Sequence, residues 1–217
     1  GLKWRDIDPE DARRRVERLG WQVAANQGHD PQSTPEGTRH SIAARIRVLQ
    51  DYAAWAVAMN QTACEFDPEL SEIPLGMEGG LPGWAIRLDG GGELELLGRI
   101  DRVDVHHLPG GSTQYIVLDY KSSVQKPDRV KIENGLQLQL IAYAAALREI
   151  EGAAGALRSD GRPLLPVGVF HIPLKVKTAT AKTRVEALDK AGEASFPHAG
   201  LFDLSALGQF DSRPGGQ

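Results

Sequence analysis

Two strand-like runs joined by one tight turn constrain this chain more than any other feature of its sequence. Glu93 to Val105 and Gln114 to Tyr120 are rich in Ile, Val, Leu and Tyr, and Pro109-Gly110-Gly111 between them reads as a turn. The first run contains Gly98-Arg-Ile-Asp-Arg-Val-Asp104 and the second leads into Leu118-Asp-Tyr-Lys-Ser122, so each carries an acid that an apolar strand does not need. Side chains two apart on a strand share a face. Asp119 therefore projects with Lys121, Val117 and Tyr115. Asp101 projects with Val103 and Val105, while Ile100 and Asp104 face the other way.

Antiparallel pairing through the turn would bring Asp101 and Asp119 together. Two carboxylates in one place repel unless a cation lies between them. Oxygen ligands suit Mg²⁺ or Mn²⁺ rather than zinc. A lysine beside such an ion can orient an attacking water and stabilise charge developing on a phosphate. Taken alone, Asp119-x-Lys121 is more often a surface ion pair at a strand end, which contributes little.

The flanking sequence divides by texture. Residues 6–28 read as a helix with Asp6 and Asp8 as caps, Pro9 in the first turn and an arginine-rich face. Gly28–Gly37 is a loop, and Thr38–Cys64 is helical by the spacing of Ile42, Ile46, Leu49, Ala53 and Val57. Arg39, Arg45 and Arg47 on it fit a solvated face better than a nucleic-acid face. Ser71–Gly76 reads as a strand kept at a sheet edge by Pro74. Trp84–Leu88 is a further strand, with a hairpin at Asp89–Gly92. Leu136–Ile150 is a helix apolar almost all round, hence packed on both sides. Val167–Leu174 is one more strand, and Glu186–Glu193 is expected to be helical. His106 and His107 are assigned to the turn, and His171 to the core.

Composition narrows the classes. At 217 residues the chain can bury a real core in one domain with an appendage. The net charge of −4 is not that of a whole-surface nucleic-acid binder, although a local basic patch can hold phosphate. Cys64 is the lone cysteine, which excludes an internal disulfide or a cysteine cluster built by this chain alone. The longest apolar run, Leu140–Leu147, is too short to span a bilayer. No basic-then-apolar leader opens the sequence, so the expected setting is cytoplasmic with no membrane partner. Gly90–Gly92 are not followed by Gly-Lys-Ser/Thr and form no phosphate loop. No nucleophile elbow or Ser-His-Asp pattern supports a small-molecule hydrolase.

The ordered set Gly98-Arg-Ile-Asp-Arg-Val-Asp104, Asp119-Tyr-Lys-Ser122 and Gly135-Leu-Gln-Leu-Gln-Leu-Ile-Ala-Tyr143 resembles the nuclease domain of the AddB and RecB recombination nucleases, members of the PD-(D/E)XK superfamily. Gln139 and Tyr143 match the family's Gln and Tyr, four residues apart and so on one helix face. Residues 45–76 resemble the segment ahead of the AddB core, and Val169–Lys175 the strand after its helix. The resemblance covers most of residues 38–175.

It implies metal ligation by Asp101, Asp119, Glu72 and the backbone carbonyl of Tyr120, with Mg²⁺ as cofactor and Mn²⁺ able to substitute. Lys121 would activate water, and Gln139 and Tyr143 would line the site. Glu72 is equally an exposed edge-strand glutamate, with Glu69 and Glu78 as alternatives. Lys126, Arg129 and Lys131, just past the lysine, are either phosphate contacts or a solvated loop. Two features depart from the family. Four cysteines often hold an iron–sulfur cluster there, whereas Cys64 alone implies no such cluster in this chain. His29 and His40 lack the family's Gly-x-x-x-His setting.

The expected fold is thus α/β: a restriction-endonuclease-like core, its mixed, mostly antiparallel sheet flanked by helices. An N-terminal helical segment would cover 1–71, the nuclease core 72–185, and a C-terminal extension 186–217. The start at Gly1 and the polar end suit a piece of a longer protein. The implied function is Mg²⁺-dependent DNA cleavage in a helicase–nuclease with a partner subunit. The alternative is a catalytically idle module that binds DNA or organises such a complex.

Overall fold

The computed structural model describes residues 3–123, 125–150, 152–174 and 196–213. The chain divides into two compact units, one of Gly1–Thr62, Lys121–Ser123 and Pro173–Pro197, the other of Ala63–Tyr120, Val124–Ile172 and His198–Gln217.

In the first unit, α1 (Pro9–Asn26) packs on α2 (Glu36–Thr62). Asp8 caps α1 by accepting from Glu10 N at 2.7 Å and Asp11 N at 3.2 Å, and Pro9 follows where no N–H is required. The helices approach closely at Gly20, where an added Cβ would lie 2.7 Å from Ile46. Arg13 pairs with Asp51 across them. Tyr52, Trp55 and Phe196 form an aromatic cluster, with Tyr52 edge-on to Phe196 at 5.4 Å.

The second unit is built on a five-stranded sheet in the order β1-β4-β5-β6-β7. Its strands are β1 (Asp67–Leu75), β4 (Gly98–His107), β5 (Thr113–Lys121), β6 (Leu164–Pro173) and β7 (Ala199–Phe202). A separate hairpin pairs β2 (Trp84–Arg87) with β3 (Glu93–Leu96). The β1–β4, β4–β5 and β6–β7 pairs are antiparallel. Between β5 and β6 the chain passes through three helices, α3 (Arg129–Glu133), α4 (Gln139–Glu149) and α5 (Ala153–Ala156). Thr113 N bonds to Pro163 O ahead of β6, and Leu174 N to Lys121 O past it, so β5 and β6 run the same way. The fold class is as expected, including Pro74 on the edge strand.

Two corrections concern β4. Glu93–Val105 reads as one strand, yet it breaks at Leu97, because β3 finds its partner in β2 while β4 finds partners in β1 and β5. His106 and His107 end β4 rather than forming the turn: His106 Nε2 lies 3.0 Å from Glu65, and His107 Nδ1 lies 3.0 Å from Thr113 Oγ1. The helix expected at Glu186–Glu193 lies outside the described residues. No helix among the described residues is long and apolar enough to cross a membrane.

The core forms where α4 lies on the sheet: Leu140, Tyr143, Ala144 and Leu147 meet Val103, Val105, Tyr115, Val117, Ile73, Leu75 and Ile100. The Tyr115 hydroxyl donates to Ala144 O at 2.5 Å, and burial pushes that phenol above its ordinary range. The other face is also covered, with Phe66 stacked on Phe210 at 5.0 Å and Phe170 edge-on to Phe210 at 5.4 Å. Burial pushes the Cys64 thiol up to about 11, so it stays protonated at neutral pH.

On this second face Arg102 and Asp104 form a bidentate pair, Nε to Oδ1 at 2.6 Å and Nη2 to Oδ2 at 2.5 Å, with both side chains no more than 7% exposed. Burial raises the Asp104 carboxyl above its usual range, opposed by the guanidinium beside it. Removing one partner strands a charge away from water. Asp104→Ala is therefore expected to lower unfolding free energy by about 3–5 kcal/mol, whereas Arg102→Met with Asp104→Leu should recover most of it, as read by urea denaturation.

Candidate metal centre

Strand alternation alone places Asp101 on the α4 side with Val103 and Val105, and Ile100 opposite. The structure corrects this: Ile100, Val103 and Val105 all belong to the core under α4, so β4 reverses phase between Ile100 and Val103. Its neighbour does the same. Leu70 opposes Val103 and Ile73 opposes Ile100, yet Leu70 and Ile73 both pack into that core. The reversal in β1 centres on Glu72, whose φ of +53° is left-handed, a conformation few non-glycine residues adopt.

At this kink the Asp101 side chain reaches along the sheet, and its Oδ2 accepts from Tyr120 N on β5 at 2.9 Å. The β4–β5 ladder ends with Val103 opposite Val117 and Arg102 opposite Leu118, and beyond it the Tyr120 N–H holds Asp101 against β5, next to Asp119 in the chain. Asp119 is buried on the α4 side of β5, where its Oδ2 lies 3.1 Å from His171 Nδ1 on β6. Lys121 ends β5 two residues on, half-buried, with its carbonyl accepting from Leu174 N at 2.8 Å. Tyr120 links the parts: besides holding Asp101, its hydroxyl lies 3.3 Å from Arg102 Nη1. Asp104 is occupied by Arg102.

Glu72 does not join the two aspartates. Its carboxylate is exposed, 3.6 Å from Arg99 Nη1. Of the alternatives, Glu69 pairs with Arg158 at 2.7 Å and Glu78 is exposed in a turn. Among the described residues no three His, Cys, Asp or Glu side chains come close enough to hold an ion between them.

The remaining expected residues lie on the α3–α4 segment. Gln139 is exposed at the start of α4, whereas Tyr143, one turn on, is buried with its hydroxyl over Gly98. Lys126 and Lys131 are exposed, and Arg129 is exposed but paired with Glu133 at 2.7 Å. Asp128 caps α3 by accepting from Val130 N at 3.0 Å. Sequence reasoning passed over Gln137, which clamps this basic loop: Oε1 accepts from Asp128 N at 2.8 Å and Nε2 donates to Lys126 O at 3.2 Å. The Leu-Gln-Leu-Gln repeat offered two glutamines, and only spacing to Tyr143 chose between them. His171 had no local signal, because its partner is 52 residues away.

The pattern of the PD-(D/E)XK nuclease superfamily matches residues 2–199. The chain belongs to that superfamily. It is also similar to curated proteins named as one subunit of an ATP-dependent helicase/deoxyribonuclease. The protein from Acetivibrio thermocellus is 30% identical over 193 residues, covering 88% of this chain and 16% of the relative. Those from Geobacillus kaustophilus and Symbiobacterium thermophilum are 31% and 34% identical, covering 98% and 80% of this chain and 18% and 14% of themselves. The chain thus spans less than a fifth of the length of these relatives.

The superfamily motifs interlock at Gly98. A Cβ there would lie 2.3 Å from the Tyr143 hydroxyl and 3.1 Å from Cζ, so the first motif needs glycine because the third supplies a phenol. Gly98→Ala should cost about 1–3 kcal/mol by overpacking, and Tyr143→Phe in that background should return part of it by removing the closest atom, as read by thermal or urea unfolding.

Proposed function

We propose that this chain is the nuclease module of an AddB-type recombination and repair helicase–nuclease, hydrolysing DNA phosphodiesters, as an exonuclease, in the cytoplasm. The observation that supports this reading most is the hydrogen bond from Tyr120 N to Asp101, which ties the first acid to the Asp119-Tyr-Lys121 segment, in a chain of this superfamily. Asp101, Asp119 and the Tyr120 carbonyl would hold Mg²⁺, which supplies Lewis-acid stabilisation of the phosphoryl oxygens. Lys121 orients the attacking water and faces charge building on the phosphate. As the water oxygen bonds to phosphorus it gives up a proton to solvent, the bond to the leaving oxygen breaks, and that oxygen takes up a proton from solvent. Lys126, Arg129, Lys131 and Gln139 contact the DNA backbone, with α3 held by its Asp128 cap and by Gln137. Tyr143 acts by packing on Gly98, shaping the site from beneath.

One observation favours the idle module instead: Glu72 lies against Arg99, and among the described residues no third acidic side chain completes the pair. Two measurements separate the readings. Asp119→Ala and Lys121→Ala are each expected to abolish Mg²⁺-dependent cleavage of linear DNA while leaving the circular dichroism spectrum unchanged. Cleavage surviving both substitutions sinks the mechanism. Calorimetric Mg²⁺ titration should show binding that Asp101→Asn weakens; no binding at all, or binding indifferent to that change, supports the idle module.

A further inference from the structure

We propose that His171 is a positioning residue: its Nδ1–H fixes the orientation of the Asp119 carboxylate and so sets the geometry of the acid pair. This rests on the metal-binding reading of Asp119 above.

The contact is built from two buried groups on adjacent strands. His171 Nδ1 lies 3.1 Å from Asp119 Oδ2, with side chains 9% and 8% exposed. In the arrangement proposed the carboxylate oxygen accepts and Nδ1 donates, so that this bond selects the tautomer of the ring. A hydrogen bond to a charged acceptor is among the stronger kinds, and removal from water strengthens it further. The ring is held in place by its strand: Val167, Phe170 and Ile172 around it on β6 are buried.

The second torsion of an aspartate is broad, so its carboxylate is poorly oriented by rotamer preference. A donor fixed on the neighbouring strand narrows that torsion. The backbone N–H of Tyr120 does the same for Asp101 from the other side of the ladder. Each acid of the pair is therefore aimed by a group on a different strand from its own. Carboxylates that bind metal are commonly oriented in this way, and loss of the orienting partner weakens binding.

A histidine kept merely to satisfy a buried carboxylate would affect stability and leave ion binding alone, and the test separates the two roles. Mn²⁺ and Mg²⁺ binding to the whole chain is measured by calorimetry, and DNA cleavage with kcat and KM resolved. His171→Leu is expected to weaken ion binding by about 10–100-fold and to lower kcat with little change in KM for DNA. His171→Asn, whose amide N–H can occupy the place of Nδ1, should recover most of both.

Ion binding as tight in His171→Leu as in the wild type overturns the proposal. Should His171→Leu fail to fold, the wild-type chain labelled with ¹⁵N-histidine decides: Mg²⁺ is expected to shift the His171 Nδ1 resonance, and an unmoved resonance overturns the proposal. Asp119→Ala is the control. If it binds the ion like wild type, the metal reading itself falls; if it loses the ion while His171→Leu keeps it, the positioning role alone falls.

Discussion

Val103 opposes Val117 and Val105 opposes Tyr115, and sliding β4 past β5 by one residue would swing every side chain of β4 to the other face. Arg102 and Asp104 would then enter the apolar layer beneath α4, while the valines would face the Phe66–Phe210 side. The ion pair would move as a unit, because both residues lie on β4, but Arg102 would lose the Tyr120 hydroxyl of β5 and the valines would leave the core beneath α4. The pair and the valines therefore both favour the observed register. Asp101, held by the Tyr120 N–H just beyond the ladder, depends on that register without setting it.

Tyr120 turns two sequence motifs into one physical object. Its N–H holds Asp101, and its hydroxyl meets the guanidinium that holds Asp104. Gly98, at the head of the first motif, leaves room for the phenol of Tyr143 in the third. The motifs are widely separated along the chain, and each is completed by an atom from another. Substituting within one would propagate to the others through bonds that can be named.

Much of this was legible beforehand. Asp8 and Pro9 announce α1, and the apolar helix and Tyr115–Asp119 strand could hardly be exposed. The turn between the two runs was legible as well, and β4 and β5 pair through it. What escaped reading depends on partners that local pattern does not encode. Nothing in Glu93–Val105 says that its first half pairs with β2 and its second with β1, since a strand's sequence is indifferent to which neighbour it joins. The Arg102–Asp104 pair was in principle readable, as opposite charges two apart in an apolar strand. His171 could be read as a core histidine but not as the partner of Asp119, and the diversion of Glu72 to Arg99 was likewise hidden.

The left-handed turn at Glu72 was the least predictable of all, because glutamate has no preference for it. A non-glycine residue held there costs about 1–3 kcal/mol, so the rest of the sheet must gain from it. The gain is visible in the phases of β1 and β4. Were alternation to run on from Val103 without a break, Asp101 would point into the layer of Leu140 and Tyr143, and Ile100 and Ile73 would face away. The reversal returns Ile100, Ile73 and Leu75 to the core and leaves Asp101 directed along the sheet toward Tyr120. Burying those three apolar side chains is worth more than the strain of one residue, at about 1.5–3 kcal/mol each. The kink is thus the means by which an apolar strand carries an acid at its centre without burying it among hydrocarbon.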